Sequence, residues 1–196
     1  MSEIIRCSWA GNLPIYVDYH DHEWGRPVHD DGKLFEMLIL ETMQAGLSWI
    51  TILKKREAYR EALDGFDPQK IVRYDEQKIE ELMNNPGIIR NRLKINSILN
   101  NAGVFLEIQK EYGSFDQLIW SYVDGQPLTG HRKHIEEIPA TTPLSDQISK
   151  DFKKMGFKFV GSTTIYAFMQ AIGLVNDHIT DCHIYKELIN SQTQRP

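Results

Sequence analysis

"KKMGFKFVGSTTIYAFMQAIG", residues 153–173, decides how the rest of the chain is read. A basic stretch of helical period gives way to six residues that begin and end on glycine. A second stretch of helical period follows and stops at Gly173. This predicts helix, short hairpin, helix, because Gly156 and Gly161 permit a tight turn. The second helix opens with backbone N–H groups that have no partner in their own first turn, and such an N-terminus is a docking point for phosphate.

Outward from the hairpin, apolar residues recur at helical spacing and strand signals are scarce, so the fold class predicted is all-α. In "DDGKLFEMLILETMQAG", Leu34, Leu38, Glu41 and Ala45 share a face and Gly46 closes the helix. "SWITILKKREAYREAL" supplies the next helix. Asp67 with Pro68 reads as an N-cap and first helical position for "PQKIVR", which leads into "EQKIEELMN" before Pro86 and Gly87. The longest run carries Ile95, Ile98, Leu99, Ala102, Phe105 and Leu106 and ends at Gly113, where "SFDQ" predicts a capping box. From Gly125 to Thr142 neither period is present, which predicts a surface loop; His131, Arg132 and His134 within it receive no role. Thr142 and Pro143 restart a helix. The 196 residues are expected to form one compact unit, with the hairpin element at about 143–173.

The net charge of -5 argues against coating nucleic acid by bulk electrostatics, since that affinity comes from phosphates neutralised by Lys and Arg. A local basic face stays open. Arg90, Arg92 and Lys94 in "IIRNRLKI" and Lys153, Lys154 and Lys158 in "KKMGFK" each read first as a solvated helix face and second as a surface for DNA. No apolar stretch is long enough to span a bilayer and no secretory signal is visible, so a cytoplasmic protein is expected.

There are two cysteines, one near each end: Cys7 in "RCSW" and Cys182 in "NDHITDC". Reduced cytoplasmic thiols favour metal ligation or simple burial over a bridge between them. His178 lies four residues before Cys182, on the same face of a helical turn, and His20 accompanies Cys7. Together they make a Cys2His2 set suited to tetrahedral Zn²⁺, against the alternative of two buried cysteines and two unrelated histidines; His22 and His183 are possible substitutes as ligands. A full four-ligand shell leaves no position for water, so the ion would be structural, one per chain.

Glu41 is the second anomaly. A carboxylate on an apolar helix face is paired, protonated or functional, because desolvating a lone charge is costly. Glu36 in the same run has Lys33 nearby, which makes Glu41 the sharper candidate. Trp9, Tyr16, Tyr19, Trp24 and Trp49 crowd the same region, and such rings suit either a core or a pocket for a flat cation.

These stretches, with "YHDHEWG", "LFEMLILETMQAGLSWITILKKRE", "GIIRNRLKI", "GFKFVGSTTIYAFMQAIGLVNDH" and the terminal HxxxC, jointly resemble the constitutive bacterial type I 3-methyladenine DNA glycosylases, a divergent helix-hairpin-helix family with a zinc snap. The likeness covers nearly the whole chain. It implies zinc on Cys7, His20, His178 and Cys182, joining terminal segments at about 1–30 and 174–196. It also implies that Glu41 contacts the methylated base, that Trp49 stacks on it, and that Tyr16 and Tyr19 line the pocket. Gly46 and Leu47 would wedge into the duplex, and the hairpin from Gly156 through Lys158 to Gly161 and Ser162 would bind phosphate. The partner implied is double-stranded DNA with alkylated bases, no membrane is involved, and the protein would act as a monomer. Asp177 reads as a structural neighbour of His178 rather than a catalyst. Two rival classes are a zinc-clipped DNA-binding module without chemistry and a zinc hydrolase using His20, His178 and Glu41 at an open metal.

Overall fold

The computed structural model describes residues 4–193. Its elements run α1 (Pro14–His22), α2 (Asp31–Gln44), α3 (Trp49–Ala62), α4 (Pro68–Ile71), α5 (Glu76–Asn84), α6 (Arg92–Tyr112), α7 (Phe115–Ser121), β1 (Leu128–Thr129), α8 (Pro143–Met155), α9 (Ser162–Ala171), β2 (Val175–Asn176) and α10 (His183–Thr193). Helices dominate, as the periodicity predicts. The outermost residues of the two terminal segments, 1–3 and 194–196, lie outside the described residues.

Local chemistry accounts for most boundaries. Asp30 caps α2 by accepting from the Lys33 N–H, and Asp67 with Pro68 opens α4. At "SFDQ" only half of the predicted capping box forms: Ser114 accepts from the Gln117 N–H. The complete box lies at α8, where Thr142 and Ser145 bond reciprocally, because a serine hydroxyl at the third position reaches back as well as a Glu or Gln would.

α2 is the axis of the molecule. From Leu34 to Met43 every residue is buried, so the one-sided stripe read from the sequence belongs to a helix enclosed on all sides, against α3, α6, α7 and α9. Phe35, Phe105 and Phe115 form a ring ladder with centroid spacings of 4.8 and 4.7 Å. Each such side chain contributes about 1.5–3 kcal/mol by leaving water. Truncating Leu38 to Ala should cost about 2–5 kcal/mol. Asp31 fixes the start of α2 to α7, its carboxylate accepting from the Phe115 and Asp116 N–H groups at 2.9 and 2.8 Å.

α8 and α9 form the predicted pair of helices. Gly156 takes the left-handed conformation (φ 102°), but Gly161 does not; the second left-handed residue is Phe159 (φ 57°), and Gly161 caps α9 with φ -63°. The Asn101 amide of α6 holds the turn, accepting from the Lys158 N–H at 2.8 Å and donating to its carbonyl at 3.1 Å.

The segment from Gly125 to Thr142, read as a surface loop, carries short regular elements. β1 pairs in parallel with β2, Leu128 opposite Val175 and Thr129 opposite Asn176, and a 3-10 turn follows at Ile135–Glu137. Strands of two residues have no alternation to read, and their pairing is set by contacts far apart in sequence. Gly173 (φ 71°) brings the end of α9 against the N-terminal segment so closely that a Cβ would fall 2.3 Å from the Arg26 carbonyl carbon.

Candidate functional site

A cavity of about 360 Å³ opens between α1, the second half of α2, the start of α3 and α9. Aromatic rings make its walls. Trp9 meets Tyr16 edge-on at 5.4 Å and Trp24 at 5.0 Å, and Tyr19 lies 5.3 Å from Trp49. These are the ring spacings of a packed aromatic cluster, here arranged around open space. Ile135 and Ile138 add an apolar wall, and Gln44, Ala167 and Gln170 complete the lining.

Glu41 reaches this cavity from α2. It is 4% exposed, its Oε2 has no hydrogen-bond partner, and no ion pair involves it among the described residues. Burial alone pushes its carboxyl up to about 8. The indole Nε1 of Trp49 is likewise buried without a partner. A carboxylate and a donor left unmatched in a ring-walled cavity are complementary to a flat ligand with its own donors and acceptors, and the carboxylate favours a cationic one.

Beside the cavity, Cys7, His20, His178 and Cys182 gather their ligand atoms within 4.8 Å of one another, and all four residues are buried. His178 Nδ1 is 3.5 Å from each sulfur, and His20 Nε2 is 3.6 Å from Cys182 Sγ. The other ring nitrogen of each imidazole is engaged outside the cluster: His20 Nδ1 with Asp21 Oδ1 at 2.7 Å, and His178 Nε2 with the Trp24 carbonyl at 3.0 Å. A nitrogen that donates to an oxygen carries the proton, so the nitrogen facing the sulfurs presents its lone pair. The thiol of Cys182 is pulled down by its hydrogen bond to Cys7 and by the imidazoles, while Cys7, bonded to it and buried, is pushed up. Two inward lone pairs and two competing thiols are positioned to bind a metal ion. The cluster also bears on the cavity, because the His178 ring lies 4.6 Å from Trp24 and the His20 ring 5.3 Å from Trp9.

A sequence profile of the family described as methyladenine glycosylase matches residues 9–185. The chain belongs to this family. It is 49% identical over 177 residues to the DNA-3-methyladenine glycosylase of Haemophilus influenzae, covering 90% of this chain and 96% of that one. It is also 49% identical to DNA-3-methyladenine glycosylase 1 of Escherichia coli K12, covering 92% and 96%. Among solved structures, a 3-methyladenine DNA glycosylase I superposes with a TM-score of 0.89 at 52% identity, covering 91% and 98%. The Staphylococcus aureus enzyme, described for its recognition of 3-methyladenine, does so at 0.88 and 43%, covering 91% and 95%.

Within this family member, Glu41, Trp49, Tyr16 and Tyr19 all border one cavity. Gly46 and Leu47 form an exposed turn after α2, bordering a smaller adjoining cleft with Thr163 and Thr164 of α9. Gly46 has φ 79° and open space around it, so a side chain would fit there but would strain the backbone. Lys158 is exposed on the hairpin; the Ser162 hydroxyl bonds to Ser145 at 2.8 Å. Of the first basic window, two members hold the structure together. Arg92 pairs with Glu76 at 2.6 Å and with Glu80, and Lys94 donates to the Met43 and Ala45 carbonyls at 2.8 and 2.6 Å, closing the end of α2. Sequence reasoning missed Ile135, Ile138 and Gln170. Gln170 had a signal: it is the one polar side chain in "IYAFMQAIG" after the tyrosine, the same kind of anomaly that singled out Glu41.

Proposed function

We propose that the protein is a DNA-repair glycosylase that hydrolyses the N-glycosidic bond of 3-methyladenine in alkylated double-stranded DNA, releasing the base and leaving the strand uncut. The observation that carries this is Glu41, an unpartnered carboxylate in an aromatic cavity.

Inside a duplex the glycosidic bond is out of reach of any such cavity, so the nucleotide must swing out, at a cost of a few kcal/mol that a damaged base lowers. The turn at Gly46 and Leu47 is suited to fill the gap. The N-terminus of α9, whose cap residue Gly161 offers no side-chain bond, is suited to hold a phosphate with Gly156, Lys158 and Ser162 around it. Methylation at N3 makes the base cationic. Ring faces of Trp49, Tyr16 and Tyr19 attract that cation, and Glu41 accepts a hydrogen bond from its edge and balances its charge where little water intervenes. The cation in turn favours ionised Glu41, reversing the effect of burial.

The bond that breaks joins C1′ to the base nitrogen, and its electron pair leaves with the base, discharging the ring. Water supplies the new oxygen at C1′ and its proton goes to solvent. Because the leaving group departs neutral, little acid assistance is required, and the sugar passes through an oxocarbenium-like state. No lysine lines the cavity among the described residues, and the side chain of Lys94 is engaged by carbonyls, which supports water rather than an amine as nucleophile.

For the cluster we propose one structural Zn²⁺. Bonds of about 2.3 Å to sulfur and 2.05 Å to nitrogen at the tetrahedral angle put sulfur and nitrogen about 3.6 Å apart. Three of the sulfur–nitrogen spacings, 3.5, 3.5 and 3.6 Å, fit that edge, and all four ligand atoms lie within 4.8 Å of one another. Held by Cys7, His20, His178 and Cys182, such an ion would tie the two terminal segments together and steady Trp9 and Trp24, whose rings pack on the two imidazoles. Glu41 is not part of the group of potential ligands, which counts against a hydrolase working at an open metal. A cytoplasmic monomer acting on duplex DNA completes the reading.

The test is incubation with methylated duplex DNA and chromatographic identification of freed bases. Release of 3-methyladenine in excess over 7-methylguanine, with strands that break only after alkali, is expected. DNA bound but no base freed would point instead to a binding module.

A further inference from the structure

Gln170 borders the cavity from α9, and its Nε2 donates to Asp177 Oδ2 at 2.9 Å. Asp177 is fully buried, and the same oxygen accepts the Tyr166 hydroxyl. Its other oxygen lies 3.9 Å from Arg132 Nε, carried in by the segment between β1 and the turn at Ile135–Glu137. Gly130 packs against that oxygen too closely for any side chain, a Cβ there falling 2.2 Å from it. A carboxylate facing a guanidinium has only lone pairs to offer. It therefore takes the NH2 end of the Gln170 amide. The end left for the cavity is the oxygen Oε1.

We infer that Asp177 is a positioning residue that fixes the Gln170 amide with its oxygen toward the base, so that Gln170 and Glu41 together read the exocyclic amino group at purine position 6. This rests on the glycosylase reading above. Adenine carries an N6 amino donor there and guanine an O6 acceptor. Two acceptors suit the first. Against the second they leave three oxygens crowded without a proton between them, and unmatched polar groups in a closed site are what gives steep discrimination. Arg132 and Gly130 also acquire a purpose: Gly130 leaves room for the Asp177 carboxylate, Arg132 sets a positive charge 3.9 Å from its free oxygen, and their segment carries the wall of Ile135 and Ile138.

The test is single-turnover excision from DNA containing both 3-methyladenine and 3-methylguanine, comparing wild type with Asp177→Asn and Gln170→Ala. An asparagine can donate as well as accept, which frees the Gln170 amide to turn its NH2 inward. The ratio of methyladenine to methylguanine release should fall about tenfold or more in both variants. A purely structural role would slow both excisions in proportion; an unchanged ratio in both variants overturns the inference. Should Asp177→Asn fail to fold, Gln170→Ala decides alone, its side chain being only half-buried. Wild type that frees methyladenine while the variants keep its ratio sinks this inference only, and wild type that frees neither base sinks the glycosylase reading with it.

Discussion

α2 buries two glutamates five residues apart, at 8% and 4% exposure, in opposite surroundings. Glu36 accepts from Arg56 at 2.5 Å and Arg60 at 2.8 Å, with Lys33 at 3.7 Å; Arg56 goes on to grip Glu23 at 2.7 and 2.8 Å. Despite burial, those cations hold the Glu36 carboxyl below its usual range and Glu23 at about 2. Glu41 has no ion pair among the described residues, and its carboxyl stands at about 8. Burial is common to both, so burial does not mark a functional acid. What distinguishes them is whether the fold itself supplies the counter-charge. Where it does, the charge belongs to the structure; where it does not, burial keeps the proton on the carboxyl, and the aromatic cavity at that spot leaves room for a partner from outside.

The strongest way to break this contrast is Glu41→Gln. Single-turnover excision of 3-methyladenine should fall about 100-fold or more, in the range lost when one preorganised electrostatic contact is removed, while the melting temperature does not fall. Unchanged excision would falsify the role given to Glu41. Cys182→Ala moves the effect from chemistry to architecture: bound zinc should drop below one per chain and stability by several kcal/mol, as expected when a site's binding energy is part of folding. Full metal occupancy in that variant contradicts the ligand assignment. Glu36→Gln is milder, because Arg56 keeps Glu23. A loss of about 1–3 kcal/mol is expected from one charge-assisted bond set, with excision per folded molecule unaltered; a large drop in rate would mean that the two acids are not the separate cases drawn above.

How much of this could be read from residues alone follows the range of the interactions. The helices, their caps and the α8–α9 turn are written in neighbouring residues, as Asp67–Pro68, Thr142–Pro143 and Gly156 illustrate. Glu41 stood out because it breaks a local pattern and the HxxxC pair by its spacing, although His178 and Cys182 lie on the turn before α10 rather than on the helix face expected. The gathering of Cys7 with Cys182 has no local signature, and neither has the pairing of β1 with β2, which carries Arg132 to Asp177 and places Ile135 and Ile138 on the cavity. Basic residues misled in another way. Lys94 and Arg92 read first as a solvated helix face in "IIRNRLKI" and second as a surface for DNA, yet the carbonyls at the end of α2 and the acids of α5 claim them. A charge in sequence does not say which opposite charge is nearest.

The dependence on pH separates the two acids most cleanly, since it reverses sign between them. Glu41 titrates near its ordinary value of 4.5 when unfolded and about 8 when folded. Below the first value both states hold the proton and it contributes nothing. Between them the folded chain keeps a proton that the unfolded chain has released, so stability falls by up to about 1.4 kcal/mol per pH unit. Above the second the cost is constant. Glu41→Gln lacks this slope, so its melting temperature should gain on wild type from pH 5 to pH 8. Glu36 runs the other way: its folded carboxyl is lowered, so its contribution is present above the unfolded value and is lost as pH falls through the folded one. The deficit of Glu36→Gln should therefore shrink in acid. Loss of the proposed zinc in acid would affect both variants and wild type alike, and cancel in the differences. Two difference curves against pH, one opening toward alkali and the other closing toward acid, are expected from melting scans at fixed ionic strength. Parallel curves would mean that Glu41 finds a counter-ion after all, and that its cavity holds no charge for a cationic base to answer.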